Sequence, residues 1–105
     1  MSETRFRKQK VIPLLLKLRN TAFFPIQQLA ILGDADFILC CRGTFIWLEL
    51  KDTGQKLRPL QKRKAEWVQK CGGIAIVADP KNWDTVATRL QNLDAGREIK
   101  LCPSI

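Results

Sequence analysis

The residues of this chain whose types and spacing could do chemistry are Gly33-Asp34-Ala35-Asp36 and, further on, Glu49-Leu50-Lys51. Glu49 and Lys51 stand two apart in a run that reads as a β-strand. Their side chains therefore leave the same face, about 7 Å apart along the chain. A two-residue turn at Arg42-Gly43 would pair Cys41 with Thr44, which sets Asp36 opposite Glu49 and Asp34 opposite Lys51. Facing carboxylates in that register have Cα atoms about 4.5–5.5 Å apart. Like charges so placed repel each other unless a cation lies between them, and hard oxygen donors select magnesium or manganese. A turn one residue longer would break the register and with it the pairing.

Each part has a use in phosphodiester chemistry. A divalent metal on Asp36 and Glu49 could polarise a phosphate and lower the pKa of a water molecule. Lys51 adds a cationic donor that could orient or help deprotonate the attacking water, or neutralise a pentavalent intermediate. The chain has no histidine, and its four cysteines (Cys40, Cys41, Cys71, Cys102) show no Cys-x-x-Cys spacing. That excludes the usual zinc sites and any Ser-His or Cys-His catalytic unit. The cysteines read as reduced, mostly buried thiols. Taken singly, Glu-x-Lys is a common solvated pair and Asp36 an ordinary turn residue after Gly33. Together they count for more, because they interrupt strands otherwise built of core residues, where unpaired charge is costly.

The elements that must position these residues fit into one domain spanning 1–105. Hydrophobic residues are 46% of the 105, enough for a core and too many for a disordered chain. No apolar stretch approaches the roughly 20 residues of a membrane span. The N-terminus lacks a signal segment, so a cytoplasmic protein is expected. Residues 3–19 read as a largely basic helix carrying Phe6, Ile12, Leu15, Leu16 and Leu18, which Pro13 should kink or restart. Residues 22–31 read as extended, with Pro25 suited to a sheet edge. Asp36–Cys41 and Thr44–Lys51 are apolar on both faces, as strands inside a layered structure are. Pro59 opens a helix with a stripe of Leu60, Trp67, Val68 and Cys71, closed by Gly72-Gly73. Ile74–Ala78 reads as a short buried strand. Trp83, Val86, Ala87, Leu90 and Leu93 mark a last helix, with Asn82 as its N-cap. The order α-β-β-β-α-β-α describes an α/β fold with a mixed central sheet between helices.

The formal net charge of +8 points to a polyanionic partner, nucleic acid before membrane. Lys56, Arg58, Lys62, Arg63, Lys64 and Lys70 cluster after Lys51, and Arg5, Arg7, Lys8 and Lys10 form a second group. Both suit phosphate contacts, although a solvated helix face has the same composition. With Trp67 and Trp83 at core positions, no aromatic interleaves the lysines as a base-stacking platform would. Recognition by shape and backbone is then expected.

Gly-x-x-Asp before an apolar strand, Glu-x-Lys at the end of the next, and Leu57-Arg58-Pro59-Leu60-Gln61 opening a helix that ends in Gly-Gly together resemble VRR-NUC domains. These are a branch of the PD-(D/E)XK nuclease superfamily, found as stand-alone phage and bacterial proteins and fused to repair enzymes. The likeness covers roughly residues 30–95. It implies a restriction-endonuclease-like αβββαβ(α) core. It also implies that Asp36 and Glu49 are the metal-binding acids, Lys51 the catalytic lysine and Gln61 a helix residue facing the site, although a glutamine near a helix start is otherwise simply solvated. The main-chain carbonyl of Leu50 would join the shell of Mg2+, with Mn2+ able to substitute. Glu3 matches the acid that a first helix often adds, or equally an ordinary acid favoured at a helix N-terminus. The family's usual proline before the first acid is Ala35 here, which changes a backbone preference and not a ligand. The implied activity is a structure-specific endonuclease on branched or double-stranded DNA, cutting junctions or flaps. A homodimer follows by analogy with family members. Lys56, Arg58, Lys62, Arg63, Arg7 and Lys8 are the expected nucleic-acid contacts. Two alternatives stand beside it: a non-catalytic nucleic-acid-binding module on the same fold, and an interaction domain whose charge is incidental.

Overall fold

The computed structural model describes residues 2–26 and 35–98. Gly33, Asp34 with its expected place opposite Lys51, Cys102, and the stretch 27–31 of the expected extended segment lie outside the described residues.

The basic N-terminal segment is helical in three parts: α1 (Glu3–Phe6), a π turn (Arg7–Val11) and α2 (Ile12–Lys17). Ser2 caps it, its hydroxyl accepting from Arg5 N–H at 3.2 Å. Pro13 explains the π turn. A proline mid-helix has no N–H to give and crowds the carbonyl four residues back. Widening the preceding turn, so that Ile12 N–H bonds to the Arg7 carbonyl, lets Pro13 sit in the first turn of a fresh α-helix. The wider turn also re-phases the apolar stripe. Phe6, Val11 and Leu15 are buried, while Leu16, expected on the stripe, is 70% exposed.

Four strands form one mixed, open sheet in the order β1 (Thr21–Pro25), β2 (Phe37–Cys41), β3 (Thr44–Leu50), β4 (Ile74–Ala78). The first two pairings are antiparallel and β3–β4 is parallel. Pro25 is on an edge strand, as expected. Arg42 (φ 48°) and Gly43 (φ 81°) make a two-residue turn with both residues left-handed, the geometry that matches the natural twist of a hairpin. The register is the one the turn demands, with Cys41 opposite Thr44 and Phe37 opposite Leu48.

Helices α3 (Pro59–Lys70) and α4 (Trp83–Asp94) complete the described elements. One sheet face carries Phe37, Leu39, Ile46, Leu48, Leu50 and Ile76, which pack with Phe6, Val11, Leu15, Trp83 and Leu90 in the main core. The other face carries Trp47, which packs with Ala35 and Ala65 in a smaller cluster under α3. At the end of α3, Gly72 takes φ 95° and Gly73 N–H returns to the Val68 carbonyl at 2.9 Å, so Gly72-Gly73 closes the helix as expected. Among the described residues no helix is long and apolar enough to cross a membrane.

Three further sequence expectations need correction. The buried residues of α3 are Gln61 and Ala65, with Val68 half-buried, whereas Leu60, Trp67 and Cys71 are exposed. The helix is thus turned by about one residue, roughly 100°, from the most apolar orientation. Gln61 can take the inward position because both ends of its amide find partners, which removes the cost of burying it. Of the cysteines, Cys41 is buried but Cys40 and Cys71 are exposed free thiols. Finally, Asn82 stands at the start of α4 but its side chain does not cap the helix. It turns back to the end of β4 and the loop after it, donating to the Val77 carbonyl and accepting from Asp79 N–H.

Candidate functional site

Asp36, Glu49 and Lys51 meet at the end of β3, on the face that α3 covers. Alternation along β3 places Phe45, Trp47, Glu49 and Lys51 on that face while Ile46, Leu48 and Leu50 enter the main core. Asp36 directly precedes β2, whose ladder with β3 ends at Phe37. It continues the pairing by its side chain: Oδ2 accepts from Leu50 N–H at 2.8 Å. On the other side of β3, Lys51 N–H bonds to the Ala78 carbonyl at 2.9 Å, so the strand end is held from both neighbours.

Glu49 is 3% exposed, and its surroundings define the site. Its Oε2 accepts from the Gln61 side-chain amide, whose oxygen in turn accepts from Arg58 N–H at 3.0 Å. The start of α3 is thereby tied to the end of β3. Lys51 Nζ lies 3.8 Å from the same carboxylate oxygen. Burial pushes the Glu49 carboxyl up to about 9, and the hydrogen bond and negative charge of Asp36 add to the rise, with Lys51 opposing it. Burial and the neighbouring Asp36 both favour the protonated form of Glu49 while no further cation is present. Register reasoning anticipated this acid pair, and the structure brings it together.

The N-terminal helix supplies the remaining neighbours. The Arg7 guanidinium lies 3.7 Å from Asp36 Oδ1 and 4.4 Å from the centre of the Phe37 ring, over its face. Glu3, one turn earlier, is half-buried. Its carboxyl is raised by that burial first and by the charges of Asp36 and Asp52 next, while Lys51 and Arg7 pull it down. Glu3 therefore shares the site's electrostatic field. Sequence reasoning missed two participants. Arg7, expected on phosphate, is turned to Asp36 and Phe37. Asp52, the residue after Lys51, has its Oδ1 buried with no hydrogen-bond partner among the described residues. Acid-beside-lysine at a strand end was a visible signal for Asp52, whereas nothing local announced Arg7.

Of the other residues expected to meet nucleic acid, Lys8, Lys56, Arg58, Lys62 and Arg63 are all exposed. The last four lie on the loop after Lys51 and the first half of α3, beside the site. The Leu50 main chain enters the site through its N–H to Asp36.

Among the described residues no group of three or more acids, cysteines or histidines is gathered closely enough to form a ready-made metal cluster. Magnesium does not require one, because it is commonly held by one or two carboxylates with water and substrate phosphates completing the shell. The donors here suit such an ion. They are all oxygens, two of them repel unless a proton intervenes, and the Asp52 oxygen is buried without a donor among the described residues. No family model matches the chain, and neither a curated protein nor a solved structure matches it. The likeness to VRR-NUC domains rests on the motif residues themselves.

Proposed function

We propose that the chain is a metal-dependent nuclease that hydrolyses phosphodiester bonds in DNA, a structure-specific endonuclease on the restriction-endonuclease-like αβββαβ(α) fold. The observation that carries this reading is the buried Glu49 carboxyl at the end of β3, with Asp36 held on the neighbouring Leu50 N–H and with Lys51 and Gln61 beside it. The residues that would hold Mg2+, or Mn2+ in its place, are Asp36, Glu49 and the Leu50 main-chain oxygen, with Glu3 adding negative charge to their surroundings. Bound there, the ion supplies charge neutralisation at the scissile phosphate.

The chain's own groups supply the rest. Lys51, nearly buried and two residues from Glu49, presents an ammonium that can donate to a phosphate oxygen or hold the attacking water. Gln61 fixes the Glu49 carboxyl through one end of its amide while the other end holds the start of α3, so the acid is pre-set and not free to rotate. Arg7 balances the charge of Asp36 and is itself steadied on Phe37. Lys56, Arg58, Lys62 and Arg63 border the site with the positive field that a phosphate backbone needs. Cutting both strands, or a branched junction, would call for two such sites, which a homodimer provides.

One observation favours a second reading. Asp36 and Glu49 each already have an internal cation, Arg7 and Lys51, so the cluster could serve as structure in a nucleic-acid-binding module that does not cut. Incubation with supercoiled plasmid and with a four-way junction, in magnesium, manganese or EDTA, separates the two. Metal-dependent cleavage is expected, and Asp36→Ala, Glu49→Ala and Lys51→Ala should abolish it while DNA still binds. A wild type that binds but cleaves neither substrate with either metal establishes the binding module.

A further inference from the structure

The exposed side of α3 has a composition that its sequence concealed. Trp67 is 67% exposed, the most exposed of the three tryptophans; Trp47 and Trp83 are 4% and 7% exposed. It forms one wall of an almost wholly apolar groove of about 250 Å³, with Phe45, Val68, Cys71 and Gly73 forming the rest. Pockets for drug-sized ligands run from about 300 to 1,000 Å³, so this groove suits a single ring system. The same indole also borders a second, open hollow of about 570 Å³ with Arg63, Glu66 and Lys70. Arg63 and Lys70 stand four residues before and three after Trp67, which makes them its neighbours on the helix surface. An aromatic face flanked by cations is the combination that single-stranded nucleic acids use: bases stack on the ring and phosphates meet the cations.

We propose that this face of α3 is a stacking site for an unpaired nucleobase, with Trp67 as the platform and Arg63 and Lys70 holding the adjoining phosphates. The occupant follows from charge. The hollow beside Trp67 has two cations, Arg63 and Lys70, against one acid, Glu66, and the helix as a whole is more cationic still, with Lys62 and Lys64 added. A polyanion complements that face. A second copy of this chain docking here about a two-fold axis would set two like-charged helices against each other. The base must be unpaired, because in an intact duplex both faces of a base are already covered by its stacked neighbours. Trp67 lies about 9 Å along the helix from Gln61 and on the outer surface, so the platform is beside the acid site and not part of it. The inference rests on the nucleic-acid half of the proposed function and sharpens it: the substrate has a single-stranded segment, and an aromatic contact supplements recognition by backbone alone.

Tryptophan fluorescence tests this directly, since Trp67 is the indole open to a soluble quencher. Wild type, Trp67→Phe and Trp67→Leu are titrated in EDTA with oligo(dT) and with a blunt duplex of equal length, with acrylamide as the quencher. Oligo(dT) should quench the emission and shield it from acrylamide, and the blunt duplex should do neither. Trp67→Leu should bind oligo(dT) roughly tenfold or more weakly with duplex binding unchanged, and Trp67→Phe should retain most of the affinity. Equal oligo(dT) affinity in Trp67→Leu and wild type, or an indole still open to acrylamide in the complex, overturns the proposal. Shielding that grows with protein concentration alone, together with a dimer in sedimentation, overturns it in favour of a second copy. A wild type that cleaves DNA with Trp67 unaffected keeps the nuclease and loses the platform. One that stacks oligo(dT) but never cleaves keeps the platform and loses the nuclease.

Discussion

Glu49 and Asp94 are both buried acids, set at opposite ends of the β2–β3 hairpin, and they are treated in opposite ways. Asp94 ends α4 close to the Arg42 turn. Its carboxylate accepts from Asn20 N–H and the Thr21 hydroxyl, each at 2.7 Å, and from Arg19 N–H at 3.2 Å. Its main-chain oxygen takes the Asn20 amide at 3.0 Å and the Arg42 guanidinium at 2.8 Å. Burial alone would raise this carboxyl, but Thr21, the two N–H groups and Arg42 outweigh it and hold the group below the usual carboxylate range. Glu49 has one donor amide, Gln61, and Lys51 at 3.8 Å, but burial and the neighbouring acid Asp36 outweigh them and it rises to about 9. Buried charge with its hydrogen bonds complete joins α4 to β1 and the hairpin. A buried carboxyl set against a second acid is costly to ionise, and a further positive group beside it would lower that cost.

The largest test of that contrast is a pair of substitutions with opposite signs. Asp94→Ala strips three donors of their acceptor, and an unsatisfied donor costs about 1–3 kcal/mol when buried. These donors are partly buried, so a loss of about 3 kcal/mol in all is expected, read as a fall in the urea midpoint at unchanged m-value. Glu49→Gln keeps the shape and removes the ionisable group, and in EDTA at pH 8 it should leave stability unchanged or raised. If both variants lose stability alike, the distinction between the two acids collapses.

The pH profile sharpens the same comparison, because the two shifts run in opposite directions. Asp94 is lowered by folding, so its contribution is complete above the unfolded value, about 3.9, and disappears as pH falls through the folded one. Glu49 is raised. Between its unfolded value, about 4.3, and about 9, the folded chain keeps a proton that the unfolded chain has released, so stability declines across that window as pH rises. Melting temperature in EDTA from pH 5 to 9 should slope downwards in wild type and flatten in Glu49→Gln. A flat wild-type profile would remove the case for a protonated Glu49.

Magnesium should act on one of these regions only. A ligand at a hundred times its Kd adds about 2.7 kcal/mol to folding stability, which for a chain of this size is several degrees of melting temperature. That rise is expected in wild type at pH 8, diminished in Glu49→Gln, and undiminished in Thr21→Val, which alters only the Asp94 cluster. An equal rise in Glu49→Gln and wild type would place the ion elsewhere.

What could be read in the sequence was whatever local geometry determines. The Arg42-Gly43 turn fixes the register, the register sets Asp36 against Glu49, and alternation sends Lys51 to the same face. Pro59 and the paired glycines bracket α3 for equally local reasons. Contacts between distant segments were not legible: Arg7 reaching Asp36, or Asp94 collecting donors from residues more than seventy positions away. The rotation of α3 was the instructive miss. Apolar periodicity favoured Leu60, Trp67 and Cys71, whereas the buried amide of Gln61, satisfied by Glu49 and Arg58, turned the helix the other way. A polar residue with complete hydrogen bonds outweighed an indole, and a site residue thus decided which face a helix shows to solvent.

The smallest expected effect concerns the turn that links the two regions. Gly43 sits at φ 81° with no described residue within 4 Å of where a Cβ would be. Gly43→Ala therefore meets only the backbone cost of a left-handed non-glycine residue, about 1 kcal/mol. Because the substitution leaves the residue count of the turn unchanged, the Asp36–Glu49 pairing should persist, and any cleavage activity should be retained while the urea midpoint falls slightly. Inserting one residue after Gly43 is the informative contrast. It would send either Asp36 or Glu49 to the opposite face of the sheet, and cleavage should vanish even in chains that still fold. An insertion variant that cuts as well as Gly43→Ala would show that the acids do not need to face each other across this hairpin.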